Sequence, residues 1–145
     1  MKKTARGQAG FTLLEILAVL VLLAFIMAMV TPEITKRFQE GQIRATRAQI
    51  EATVSALQSY QMSTGMYPTT EQGLRALFEK PTIPPIPERW NGPYTNKKSV
   101  PKDAWGNELH YVCPGVHNPD SFDLFSLGRD NTEGGTGINE DIGNW

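Results

Sequence analysis

Gly10-Phe11-Thr12-Leu13-Leu14-Glu15, then ILAVLVLLAFIMAMV from Ile16 to Val30 without one polar side chain, decides how this chain must be built. A helix that is apolar all round needs lipid, or other copies of itself, on every side. Phe11 to Thr31 at about 1.5 Å per residue spans roughly 30 Å, close to the hydrocarbon thickness of a bilayer. Glu15 is the exception. An ionisable group in such a segment is costly and is a functional-site candidate by default. Its carboxylate must either find a cation or snorkel to the interface.

The stretch before it, MKKTARGQAG, carries Lys2, Lys3 and Arg6 and no acid. A basic leader ahead of an apolar run is a secretory signal, a membrane anchor or another kind of processed leader. A secretory signal fits poorly, because Glu15 interrupts the apolar region and Ala24 and Ala28 have the wrong spacing for a small-x-small cleavage site. An anchor fits better. Lys36, Arg37, Arg44 and Arg47 follow the run as Lys2, Lys3 and Arg6 precede it, so the positive-inside rule does not orient it.

Beyond the run the helical pattern continues. Pro32 bends or locally loosens a helix. Ile43, Ile50 and Leu57 then recur every seven residues, with Val54 between them, and Arg44, Arg47, Gln49 and Glu51 occupy the other face. Gly41 is an isolated weak point, and Gly65 is the first good stop, a C′ cap after Thr64. One helix over about 12–64 is expected. After it, Tyr67 to Leu77 suggests a short helix capped at Thr69 or Thr70, burying Leu74, Leu77 and Phe78. Pro81, Pro84, Pro85 and Pro87 exclude regular structure to about Glu88, and turns follow at 92–94 and 103–107. Two strands are expected, Leu109 to Cys113 and Phe122 to Ser126. The fold class is therefore α+β, a long N-terminal helix laid against a small antiparallel sheet.

The composition excludes several functions. The 145 residues are 40% hydrophobic and 20% charged with a net charge of −1, and no basic-aromatic surface points to nucleic acid. No phosphate-cradling glycine loop follows a strand, and no acid, base and nucleophile converge as an enzyme requires. Cys113 stands alone, so no internal disulfide forms, and it reads as a small buried hydrophobe. His110 and His117, seven apart, have no metal spacing and read as ordinary strand or loop residues. The segment SLGRDNTEGGTGINEDIGNW, 126–145, is rich in glycine and in oxygen-bearing side chains, including Asp130, Glu133, Glu140 and Asp141. Ca²⁺ takes six to eight such oxygens. It is no EF-hand, and on composition alone such loops are usually ordinary turns.

The leader, Gly10, Phe11, Thr12, Leu13, Glu15 and the unbroken apolar run closely resemble the processing signal of type IV pilins and type II secretion pseudopilins. The rest of the chain carries further motifs: GxYPTTEQGLxAL (65–77), WxGPY (90–94), DxWGxxxxY (103–111), SLGxD (126–130) and DIGNW (141–145). Together these resemble the major pseudopilins of type II secretion systems, within the type IV pilin-like superfamily. The resemblance implies a cleaved leader (1–10), a membrane or filament-core helix (11–31), an amphipathic helix (32–64) and a periplasmic head (65–145). It implies cleavage between Gly10 and Phe11 by a prepilin peptidase, methylation of the new Phe11 amine, and an assembly role for Glu15 toward its own or a neighbour's N-terminus. It also implies one calcium ion in the C-terminal loop, at the Leu127 carbonyl and the Asp130 and Asp141 carboxylates, with Asn139 a weaker ligand. The expected protein is no enzyme. It sits in the inner membrane as a single-pass subunit and joins a homo-oligomeric helical filament with minor pseudopilins, an assembly platform and its ATPase. The alternatives are a type IV pilus subunit for adhesion, motility or DNA uptake, and a membrane-tethered enzyme or binding module.

Overall fold

The computed structural model describes residues 10–145; the leader's Lys2, Lys3 and Arg6 lie outside them. Contacts divide the chain into two compact units, one ending at Phe38 and one from Gln39 to Trp145.

The first unit is helical. Helix α1 (Leu13–Thr64) begins within it, one residue later than the pattern suggested. Thr12 is its N-cap: the threonine Oγ1 accepts the Glu15 amide at 3.2 Å, and its carbonyl accepts the Ile16 amide at 3.2 Å. From Phe11 to Val30 the large apolar side chains are exposed. The helix runs unbroken through residue 32. A proline there removes one backbone donor without ending it.

In the second unit, α1 buries a stripe at alternating three- and four-residue steps: Thr46, Ile50, Thr53, Leu57 and Tyr60. The seven-residue recurrence found only its aliphatic members. The two threonines are buried because their hydroxyls are satisfied. Thr53 Oγ1 donates to the Gln49 carbonyl at 2.8 Å, and Thr46 Oγ1 accepts the Ala104 amide at 3.1 Å. The helix stops where expected, at Gly65, whose φ of 84° suits a C′ glycine and whose amide returns to the Gln61 carbonyl at 2.7 Å.

The sheet has three strands in the order β1 (His110–Val112), β2 (Asp123–Ser126), β3 (Ile142–Gly143), all antiparallel. The first two are the expected strands, trimmed. The third was missed, since it carries a single large apolar residue in a glycine-rich stretch. Tyr111 opposes Leu124, and Ser126 opposes Ile142. Tyr111, Leu124 and Ile142 join Leu57, Tyr60, Leu74 and Leu77 in one core. Burial pushes the Tyr111 phenol well above its usual range, so it remains a donor, to the Pro68 carbonyl at 2.7 Å.

The expected short helix is a turn followed by a 3₁₀ segment, Gly73–Leu77, which buries Leu74, Ala76 and Leu77; Phe78 is only partly buried. Thr69 is the cap. Its Oγ1 accepts the Gln72 amide at 3.2 Å, and the Gln72 Oε1 accepts the Thr69 amide at 3.1 Å, a reciprocal capping box. The Gln72 Nε2 then donates to the Ile83 and Pro85 carbonyls at 2.7 and 2.8 Å, which ties down the proline-rich stretch. Cys113 is partly rather than fully buried.

Leu57 is fully buried at the centre of the stripe. Leu57→Ala is expected to lower the unfolding free energy by about 2–5 kcal/mol. Met62→Ala, at an exposed site on the same helix, should change it by less than about 0.5 kcal/mol. Urea titration followed by tryptophan fluorescence measures both.

Candidate functional site

The C-terminal loop leaves β2 at Leu127 and returns at β3. Its two arms are held together by the Arg129 amide, which donates to the Ile138 carbonyl at 2.9 Å. Gly128 and Gly135 let the arms close. Both have positive φ, and a Cβ at either would strike the backbone of Asn139, at 2.8 Å from its carbonyl carbon for Gly128. Asn139 therefore lies where only bare backbone can pass. The Gly128 carbonyl accepts from the Asn107 side chain at 3.0 Å.

The loop thus brings the Leu127–Asp130 arm against the Asn139–Asp141 arm. Asp130 is exposed, and its Oδ1 accepts the Thr132 amide at 3.3 Å. Asp141 is more constrained. Its Oδ2 accepts the Gly134 amide at 2.9 Å, while its Oδ1 is buried without a hydrogen-bond partner. A buried acceptor that receives no proton is costly and is the kind of oxygen a cation satisfies. Among the described residues no three His, Cys, Asp or Glu side chains cluster tightly enough to cage a metal alone. Backbone carbonyls can complete the shell of a hard cation, so the donor set fits one. Glu133 and Glu140 are exposed.

A second carboxylate organises the opposite end of the sheet, and sequence reasoning missed it. Asp123 is buried on β2. It accepts the amides of Val116 at 2.7 Å, His117 at 2.8 Å and Asn118 at 3.0 Å, with the Asn118 side chain at 2.9 Å and His117 Nδ1 at 3.2 Å. Burial alone would raise its pKa, but these bonds outweigh that and hold the carboxyl below its ordinary value. The His117 ring stacks on Trp145, with centroids 3.9 Å apart and planes 5° from parallel. No local motif announces this cluster, because the ligands are mostly main-chain amides of a loop. Asp103 does the same on a smaller scale. Its carboxylate accepts the Trp105 and Asn107 amides, both at 2.9 Å, and the Ser126 hydroxyl at 2.7 Å.

At the other end, Gly10 and Phe11 are exposed just before α1, and Glu15 is exposed in its first turn. Among the described residues no cation pairs with the Glu15 carboxylate. Thr12-Leu13-Leu14-Glu15 is also the N-cap-to-N3 pattern of a helix start, a signal present in the sequence and overlooked beside the apolar run.

Comparison with known proteins places this geometry. The model for type II secretion system protein G matches residues 33–145. The chain belongs to the type II secretion system protein G family. The model for the prokaryotic N-terminal methylation motif matches residues 5–31. Type II secretion system core protein G of Pseudomonas aeruginosa is 44% identical over 140 residues, covering 97% of this chain and 96% of that one. The core protein G of Vibrio cholerae is 41% identical over 143 residues, covering 99% and 95%. The crystal structure of the major pseudopilin from the type 2 secretion system of enterohaemorrhagic Escherichia coli has a TM-score of 0.64 and 34% identity, and the match covers 75% of this chain and 87% of that one. The long helix and small antiparallel sheet expected of the family are both present.

The Asp123 cluster gives this chain an acid limit. A carboxyl held below its ordinary value near 3.8 contributes stability above that value and loses it as pH falls through the folded value. Thermal melts of wild type and Asp123→Asn should therefore differ most at neutral pH, and the gap should close below about pH 4.

Proposed function

We propose that this chain is the major structural subunit of a type II secretion pseudopilus, a periplasmic filament that drives protein export, rather than a subunit of a surface type IV pilus. The observation that carries this reading is the apolar start of α1. The helix is long and apolar enough to cross a membrane, and none of its most apolar window is buried. Lipid before assembly, and copies of the same helix afterwards, meet that need. The match to core protein G relatives over nearly the whole chain, head included, favours secretion over a pilus. The role is structural and not catalytic.

In this reading a prepilin peptidase cuts between Gly10 and Phe11 and methylates the Phe11 amine, supported by the methylation-motif match over that region. The subunit then waits in the inner membrane with its head in the periplasm. An assembly platform, its ATPase and minor pseudopilins draw it into the filament. Glu15 pairs with the new amine, its own or a neighbour's. Across two copies such a pair favours one axial offset, much as a buried polar residue sets register in a coiled coil. Glu15→Gln should leave membrane insertion intact and abolish filaments seen by electron microscopy of sheared cells; normal filaments would remove Glu15 from assembly.

The C-terminal loop holds calcium in the same reading, at the Leu127 carbonyl, the Asp130 and Asp141 carboxylates and Asn139. The unsatisfied Asp141 Oδ1 supports this assignment. Bound there, the ion supplies positive charge to an oxygen that otherwise has no partner. It also offsets the ordering of a glycine-rich loop, about 1–2 kcal/mol per residue. Calcium at about 100 times its Kd should stabilise the folded protein by about 2.7 kcal/mol over chelator. Asp141→Ala should melt alike in calcium and in chelator; an undiminished calcium response in that variant would sink the site.

A further inference from the structure

The 39–145 unit bears two surface features that its own core leaves open, a concave one in which Val54 and Trp145 lie among polar side chains and a convex, apolar one. The concave one is a groove of about 770 Å³ between the α1 face of Ile50, Val54 and Ser55 and the terminal segment Ile142–Trp145. Trp145 is 51% exposed, yet its ring is fixed by the stack on His117 and an edge contact with Phe125 at 5.7 Å. One wall is the free edge of β3. Ile142 pairs with Ser126 and the Asn144 amide reaches the Leu124 carbonyl, so the intervening Gly143 turns its own N–H and C=O away from β2.

The convex feature is Pro81-Thr82-Ile83-Pro84-Pro85-Ile86-Pro87. Ile83 and Ile86 are 44% and 51% exposed. Exposed isoleucines on a slack loop would mean little, but this one is held. The buried Gln72 amide grips the Ile83 and Pro85 carbonyls. Just beyond the loop, the Trp90 indole donates to the Ala76 carbonyl at 3.0 Å. Four of the seven residues are prolines, with no N–H to desolvate, so the loop can lie against Val54 and Trp145 in the groove with few unpaired donors. A pre-ordered knob also loses little entropy on docking.

We propose that the 81–87 loop of one copy seats in the Trp145 groove of the next, a heterologous contact between neighbouring subunits; it rests on the polymer reading above. Size selects the partner. A seven-residue loop buries well under the roughly 1,200 Å² of a stable complex between free proteins. It becomes useful only where another contact already holds the copies at high effective concentration, as packed apolar helices do. Two different complementary patches on one chain also build open helical polymers wherever the rotation between copies does not close a ring. Charge permits the contact: Lys80 and Arg89 balance Glu79 and Glu88 on the knob, and the groove, with Glu51, Glu140 and Asp141 against Arg47, is acidic enough to receive the two basic side chains.

The test uses the full-length chain in assembling cells, with Cys113→Ser as background. Ile86→Cys combined with Ser55→Cys, treated with a short bis-maleimide, should give a ladder of multimers that neither single cysteine gives. If the background chain forms filaments and the pair gives no ladder, the contact is overturned while the polymer reading stands. If the background chain forms no filaments, both fall. Independently, Ile86→Asp should cut filament yield about tenfold, the effect of losing one interfacial anchor, with the melting temperature unchanged. Unchanged yield overturns the contact.

Discussion

The 39–145 unit depends on the burial of one helical stripe. None of its strands is long enough to hold itself: β1 spans His110–Val112, β2 Asp123–Ser126 and β3 Ile142–Gly143. So small a sheet is marginal in water unless something packs on it. Leu57 and Tyr60, both fully buried, are that support, with Leu74 and Leu77 completing the layer. Helix and sheet therefore need each other, and the stripe is the one surface that both share.

Much of the rest is irregular chain, and buried side chains serve it as substitutes for a ladder. Gln72 closes its own turn and holds the proline-rich stretch. Asp103 shapes the turn before β1 and reaches across to Ser126. Asp123 gathers three consecutive amides, 116 to 118. In each case one polar group satisfies several backbone groups that no strand could reach. A free thiol at Cys113 leaves this work to hydrogen bonds, and in the proposed loop to an ion.

The parts visible in the sequence are those whose signal is local and periodic. Helix α1 is one: its apolar run, its stripe and the stop at Gly65 all repeat or terminate a pattern. β1 and β2 are legible to within two residues for the same reason. Thr46 and Thr53 were not, because a threonine joins a buried stripe only when a particular carbonyl or amide is at hand. β3 was hidden, since two residues in a glycine-rich loop become a strand only through β2. In the candidate metal loop the sequence shows carboxylates, whereas the arrangement turns on the Asn139 backbone threading beside Gly128 and Gly135. The choice of Leu127, Asp130, Asn139 and Asp141 came from family resemblance; no spacing rule yields it.

The position of the Thr12 cap has a bearing on maturation. A cut between Gly10 and Phe11 would remove the stretch through Gly10 and leave the cap in place, with a single residue before it. The Thr12 bonds to the Glu15 and Ile16 amides would not be touched by it. What changes is charge: a new ammonium appears at the positive end of the helix dipole, where it is unfavourable, with Glu15 in the first turn to oppose it. Processing of that kind would act as a switch in electrostatics on a helix start that is already capped.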